Sequence, residues 1–92
     1  MNMYSIAETF VKNVVYRYPS SSNFTFSNVV HDMHGDHTGF PEIISSVCRK
    51  FASKETVLEH GSGKKMIMYV KDKGSYGRTN RPTNLYAFKE VT

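Results

Sequence analysis

Cysteine is almost absent from this sequence, since Cys48 is the only one among 92 residues. A single thiol cannot form an internal disulfide, so the fold does not depend on crosslinks and a reducing compartment is favoured. Long apolar runs are missing as well, and none approaches the roughly 20 residues that cross a bilayer. The first ten residues also lack the basic and apolar regions of a signal peptide. We therefore expect a cytoplasmic protein with no membrane partner.

Tryptophan is absent and acidic residues are few. The large side chains available for a core are six Phe and six Tyr, in a chain that is 39% hydrophobic. This composition suits one modest core, and we expect a single domain over residues 1–92. The eight acidic residues are scattered and form no carboxylate pair suited to acid–base catalysis. We expect a binding protein that is not an enzyme and carries no cofactor.

Positive charge is concentrated in the second half of the chain. The net charge is +4 at pH 7. Residues 1–37 contain two basic and three acidic residues, whereas residues 38–92 contain ten basic and five acidic residues. The two parts therefore carry −1 and +5. This asymmetry favours a polyanionic partner such as a nucleic acid.

The spacing of apolar residues predicts three helices, over residues 5–18, 28–34 and 41–53. Ser27 is the expected N-cap of the second helix, and Gly35 is expected to end it. The third helix has the clearest amphipathic pattern. Its apolar stripe contains Cys48, which we therefore interpret as a core residue rather than a nucleophile.

Extended segments are predicted before the second helix and after the third, over residues 24–26, 56–58, 65–70 and 85–88. Residues 61–63 (GSG) are typical of a hairpin turn, and residues 71–82 form a long polar loop. This order predicts an α+β winged helix, in which a helix-turn-helix core of three helices is followed by an antiparallel β-wing of two to three strands. A different α+β packing of the same elements is the alternative.

The third helix occupies the position of a recognition helix. Its polar face carries two small hydroxyl residues and two cations: Ser45, Ser46, Arg49 and Lys50. Small residues let a helix approach the base edges of a major groove, and arginine pairs with guanine there. Thr38 and the amides at the start of the helix are candidates for a phosphate contact. The competing interpretation is an ordinary solvated helix face.

The loop over residues 71–82 is the second candidate contact. Its basic side chains are Lys71, Lys73, Arg78 and Arg81, and they are accompanied by Tyr76. Loops of this composition at a wing tip lie along phosphates or enter the minor groove. The competing interpretation is a charged, solvated hairpin tip.

Three of the four histidines, His31, His34 and His37, lie within seven residues. Histidine at this density can bind zinc or nickel, which leaves a metal- or pH-responsive regulator as a minor hypothesis. Because no cysteine lies at ligand spacing, we expect no metal. Contact with phosphate or solvent near the helix-turn-helix turn is the favoured interpretation.

The C-terminal part of the chain, residues 56–90, contains a short strand with a glycine turn (VLEHGSG) and an apolar, tyrosine-bearing strand (KKMIMYVK). A long basic loop and the closing run TNLYAFKE follow. In these features it resembles the Ren proteins of lambdoid phages, which relieve exclusion imposed by a resident prophage. The resemblance implies a phage origin and a winged-helix form, and fold alone does not fix an activity.

We expect from these patterns a small DNA-binding protein that acts on double-stranded DNA, as a phage or prophage regulator of transcription. The alternative is a winged-helix module that binds a host or phage protein, anchored by apolar surface such as Tyr16 and Tyr76. A homodimer is a further expectation, because a short chain with one reading helix gains specificity by pairing.

Overall fold

The computed structural model describes residues 3–33, 41–74 and 83–91. The helices in this part of the chain are α1 (Met3–Tyr16), α2 (Phe26–Asp32) and α3 (Pro41–Ser53). The strands are β1 (Asn23–Phe24), β2 (Val57–Glu59), β3 (Lys65–Asp72) and β4 (Leu85–Glu90). The expected α+β class is confirmed. None of the described helices combines the length and the apolar character needed to cross a membrane.

The four strands form one antiparallel sheet in the order β1-β4-β3-β2. Strand β3 lies inside the sheet, as its nearly continuous apolar sequence predicts. Its pairing with β4 runs from Met66 opposite Glu90 to Asp72 opposite Leu85, with an irregularity between Val70 and Asp72. The short strand β1 pairs with β4, so the segment before α2 joins the last strand of the chain.

The core lies between the helices and one face of the sheet. Helix α3 supplies its predicted stripe, with Ile44, Val47, Cys48 and Phe51 all buried. The other buried core residues come from α1, α2 and the four strands: Ala7, Val11, Val15, Phe24, Val29, Leu58, Met66, Met68, Tyr86 and Phe88. Three of these are aromatic side chains of the sheet, in keeping with a core that has no tryptophan.

Helix α1 begins and ends two residues earlier than predicted. The amides of Arg17 and Tyr18 donate to the carbonyls of Val14 and Val15, each at 3.1 Å. These are bonds to the third preceding residue, so the chain tightens into a turn after Tyr16. The predicted end at residue 18 missed this turn because Tyr18 still fits the apolar face of the helix.

The N-cap of α2 is Thr25, and the prediction of Ser27 was wrong. The Thr25 hydroxyl accepts from the Asn28 amide at 3.4 Å, and the Asn28 side chain accepts from the Thr25 amide at 2.8 Å. This reciprocal capping box satisfies two helix-terminal donors. A cap at Ser27 would place Val30 at the reciprocal position, where its side chain can accept no hydrogen bond. Phe26 is therefore helical rather than extended.

Candidate nucleic-acid interface

The apolar stripe of α3 packs into the core, so the opposite face of the helix is turned toward solvent. Ser45 and Ser46 are half-buried on the other side of the helix, and Arg49 is exposed. The Arg49 guanidinium donates to the Ser46 hydroxyl at 3.4 Å. Because these two residues are three positions apart, they lie on adjacent turns of one face. Ser45, Ser46 and Arg49 thus form a small polar surface with one cation.

Lys50 is directed to a different neighbour. Its ammonium lies 3.3 Å from the Glu8 carboxylate of α1 and 5.2 Å from the centre of the Tyr4 ring. The side chains of Lys50 and Glu8 are 40% and 25% exposed. Lys50 therefore ties α3 to α1, and its charge is partly neutralised there. Sequence periodicity gave no sign of this, because the partner lies 42 residues away.

Tyr86 is buried near the start of β4. Burial raises the pKa of the Tyr86 hydroxyl, while a hydrogen bond from Asn84 and the positive charge of Arg49 offset part of that shift. The guanidinium is therefore within electrostatic reach of the residues that open β4. Helix α3 packs on β3, and the end of β3 at Asp72 lies opposite Leu85 at the start of β4.

The same end of the sheet carries two lysines. Lys71 and Lys73 are exposed at the end of β3, and the Lys71 ammonium contacts the Asn23 side chain of β1 at 3.4 Å. Asp72, which pairs with Leu85, lies between them in sequence. The remaining predicted contacts, Thr38, Tyr76, Arg78 and Arg81, lie outside the described residues.

The described part of the histidine cluster is His31. It is exposed, and its Nδ1 lies 3.4 Å from the Asp32 carboxylate. The same carboxylate accepts a 2.6 Å hydrogen bond from the Tyr18 hydroxyl. Burial and then this bond raise the Tyr18 pKa. His34 and His37 lie outside the described residues, and within those residues no three His, Cys, Asp or Glu side chains come together as metal ligands.

His60 was not singled out from the sequence, yet it is the buried histidine of the described residues, at 6% exposure. Its Nε2 lies 2.6 Å from the Tyr18 carbonyl, which can only accept, so Nε2 carries the proton. Nδ1 then accepts from the Ser62 hydroxyl at 2.8 Å and from the Ser62 amide at 3.1 Å. The Gly61 amide donates to the Tyr16 carbonyl at 2.9 Å. These bonds join the β2–β3 turn to the end of α1, which is a structural role.

Comparison with protein-family models, with curated proteins and with solved structures finds no match to this chain.

Proposed function

We propose that the protein binds duplex DNA as a winged-helix domain. In this proposal α3 enters the major groove, and the end of β3 with the residues that follow contacts the phosphate backbone. The observation that carries the proposal is the placement of α3, which packs on β3 with Arg49 exposed on its polar face, together with the two exposed lysines at the end of that strand. A reading helix and a basic hairpin on one side of a domain are what this mode of binding requires.

Base contacts are assigned to Arg49 with Ser46 and Ser45. Arginine can donate two hydrogen bonds to a guanine edge, and the two serines leave room for the helix to approach. The contact of Arg49 with Ser46 holds the guanidinium on this face before DNA arrives. Lys50 is a weaker candidate than the sequence suggested, because it is engaged with Glu8.

Phosphate contacts are assigned to the cations around the β3–β4 connection. Lys71 and Lys73 are the described members. Thr38, Tyr76, Arg78 and Arg81 complete the proposed surface on the strength of the sequence. The resemblance of residues 56–90 to the Ren proteins adds the proposal that the DNA belongs to a phage or its host, and that binding regulates phage genes.

The proposal is tested by fluorescence anisotropy with a random-sequence duplex at about 50 and 200 mM salt. We expect micromolar or tighter binding at the lower salt concentration and a loss of orders of magnitude at the higher one. The double variant Lys71→Ala/Lys73→Ala should flatten the plot of log K against log salt by about two units, because each phosphate contact contributes a slope of about −0.9.

Lys64→Ala is the matched control. Lys64 is exposed, as Lys71 and Lys73 are. It pairs with Glu90 and adjoins the opposite end of β3. Its removal should leave the salt slope unchanged. Absence of binding at about 50 mM salt, or equal slopes for all three proteins, would refute the proposed phosphate surface.

A further inference from the structure

Strand β2 forms one edge of the sheet, and no described strand lies beyond it. The His60 amide donates to the Lys64 carbonyl at 3.1 Å, which fixes the alternation of hydrogen bonds along the β2–β3 pair. With Leu58 opposite Met66 as the next hydrogen-bonded pair, the amides and carbonyls of Val57 and Glu59 point away from β3. The outer edge of β2 therefore offers backbone donors and acceptors to another extended chain.

A depression lies on each side of this edge. One has a volume of about 260 Å³ and separates β2 from α1; its walls combine Tyr16, Val57 and Leu58 with the polar side chains of Lys12, Asn13 and Glu59. The other, about 420 Å³, lies across the sheet face that the helices leave open; its walls combine Val57, Ile67 and Val91 with Glu55, Lys89 and Glu90. Val57 borders both. Because side chains of a strand alternate between faces, a strand added to β2 would direct successive residues toward the two depressions in turn.

Apolar exposure is concentrated at the same place. Among the described residues, four large apolar side chains are exposed to solvent. Val57, at 52%, belongs to β2, and Tyr16, at 46%, lines the depression beside it. Val91, at 40%, follows β4 and lines the second depression with Val57. The fourth, Met3, lies at the start of α1. Clustered apolar exposure beside an open strand edge marks an interaction surface.

We propose that β2 binds an extended segment of a partner protein as a fifth, antiparallel strand. Main-chain hydrogen bonds to Val57 and Glu59 supply the register, and apolar side chains at every second position of the segment pack beside Tyr16 and Val57. A lysine or arginine of the segment pairs with Glu59, which is exposed. None of these residues belongs to the proposed DNA surface, so the partner and DNA can bind together.

A second copy of this chain fits the edge poorly. Antiparallel pairing of two β2 strands centred on Val57 brings Glu59 of each copy toward Glu55 of the other, where the left-handed backbone of Glu55, with φ of 50°, ends the extended edge. Centring on Leu58 places Val57 opposite a glutamate, and centring on Glu59 pairs that residue with itself. Like charges opposite one another destabilise a strand pair, which counts against the first and third registers, and the second gives Val57 a glutamate where an apolar neighbour would pack. A partner of different sequence can supply both an apolar and a basic residue at these positions.

The test uses the whole protein and a phage-displayed library of random peptides about 12 residues long. We expect the selected peptides to have apolar residues at every second position and a basic residue among them. Synthetic versions would then carry single backbone N-methyl groups. Methylation should abolish binding at alternate positions only, because every second amide of an added strand faces β2.

Val57→Lys and Tyr16→Ala should each weaken the selected peptides by about tenfold or more in fluorescence polarisation, whereas Met3→Ala should not. Four outcomes would overturn the proposal: no enrichment, helical spacing of the apolar residues, tolerance of methylation at every position, or binding that is indifferent to Val57→Lys. A dimer in sedimentation velocity that Val57→Lys dissociates would assign the edge to a second copy instead. The experiment with N-methylated peptides uses the unaltered protein, so it tests strand addition even if a variant of the protein folds badly.

Discussion

The imidazole of His60 shows how one buried polar residue connects distant parts of the chain. One ring nitrogen donates to the Tyr18 carbonyl just beyond α1, and the other accepts from the Ser62 amide in the β2–β3 turn. The ring also packs edge-on against Phe88, with centroids 5.7 Å apart. Each polar atom of the ring therefore has a partner, which buried polar groups require.

Replacement of His60 by Phe keeps a ring of similar size but leaves the Tyr18 carbonyl and the Ser62 amide without their partner. We expect the free energy of unfolding in urea to fall by about 1–3 kcal/mol, the cost of buried groups left unsatisfied. Ser62→Ala is the comparison: it removes the hydroxyl that lies 2.8 Å from Nδ1 but keeps the backbone amide that bonds His60, so it should cost less, about 0.5–1 kcal/mol. Equal stability of His60→Phe and the parent protein would contradict this role.

At the scale of elements, α3 uses its two central cations for different purposes. Arg49 lies on the exposed polar face, while Lys50 reaches Glu8 and the Tyr4 ring on α1. The two residues are adjacent, so they project about 100° apart around the helix axis. Arg49 therefore faces solvent, whereas Lys50 contacts the neighbouring helix α1.

This division predicts opposite effects of two alanine substitutions. Lys50→Ala should lower the free energy of unfolding by about 1 kcal/mol, the sum expected for a half-exposed ion pair and a cation–π contact, with little effect on DNA binding. Arg49→Ala should leave stability unchanged and reduce the preference for a selected duplex over a scrambled one by about tenfold or more. Urea unfolding measures the stability of each variant, and fluorescence anisotropy measures its preference for the selected duplex. Loss of that preference in Lys50→Ala alone would show that the roles are reversed.

The elements of this fold differ in how far the sequence predicts them. The bounds of α3 follow from its sequence, because its apolar residues recur with the helical period and Pro41 suits the first turn. The cap of α2 was misplaced because Thr25 and Ser27 are both good caps, and the choice depends on the reciprocal bond that the Asn28 side chain accepts from the Thr25 amide. The orientation of Lys50 and the burial of His60 depend on contacts 42 residues away in sequence. No local pattern encodes such contacts.

At the scale of the whole molecule, three ionisable groups share one core. Cys48 of α3 is fully buried, and its charge would raise the pKa of both Tyr18 and Tyr86, so the three groups are electrostatically coupled. They come from α3, from the segment after α1 and from β4. Ionisation of any one of them therefore acts on packing that all these elements share.

The free energy of unfolding should therefore fall at alkaline pH, and ionisation of the Cys48 thiol should contribute to this fall at a lower pH than the tyrosines do. Burial raises the pKa of Cys48 from 9.0 to about 12, so the folded protein keeps the thiol neutral while the unfolded chain ionises. The stabilisation is complete below pH 9 and is lost as pH rises from 9 toward 12. A single group with this shift removes about 1.4 kcal/mol between pH 8 and pH 10.

The measurement is urea unfolding under reducing conditions at several pH values between 8 and 10. Cys48→Ala will lower the free energy of unfolding at every pH, because it removes a buried side chain. The two proteins are therefore compared by how steeply that free energy declines with pH. The variant should show a shallower decline, which retains only the part due to the tyrosines, whose pKa values are also raised. Parallel curves for the two proteins would mean that the thiol is not held neutral by the fold. A shallower curve for Cys48→Ala would instead show that the folded core holds the thiol neutral in this pH range.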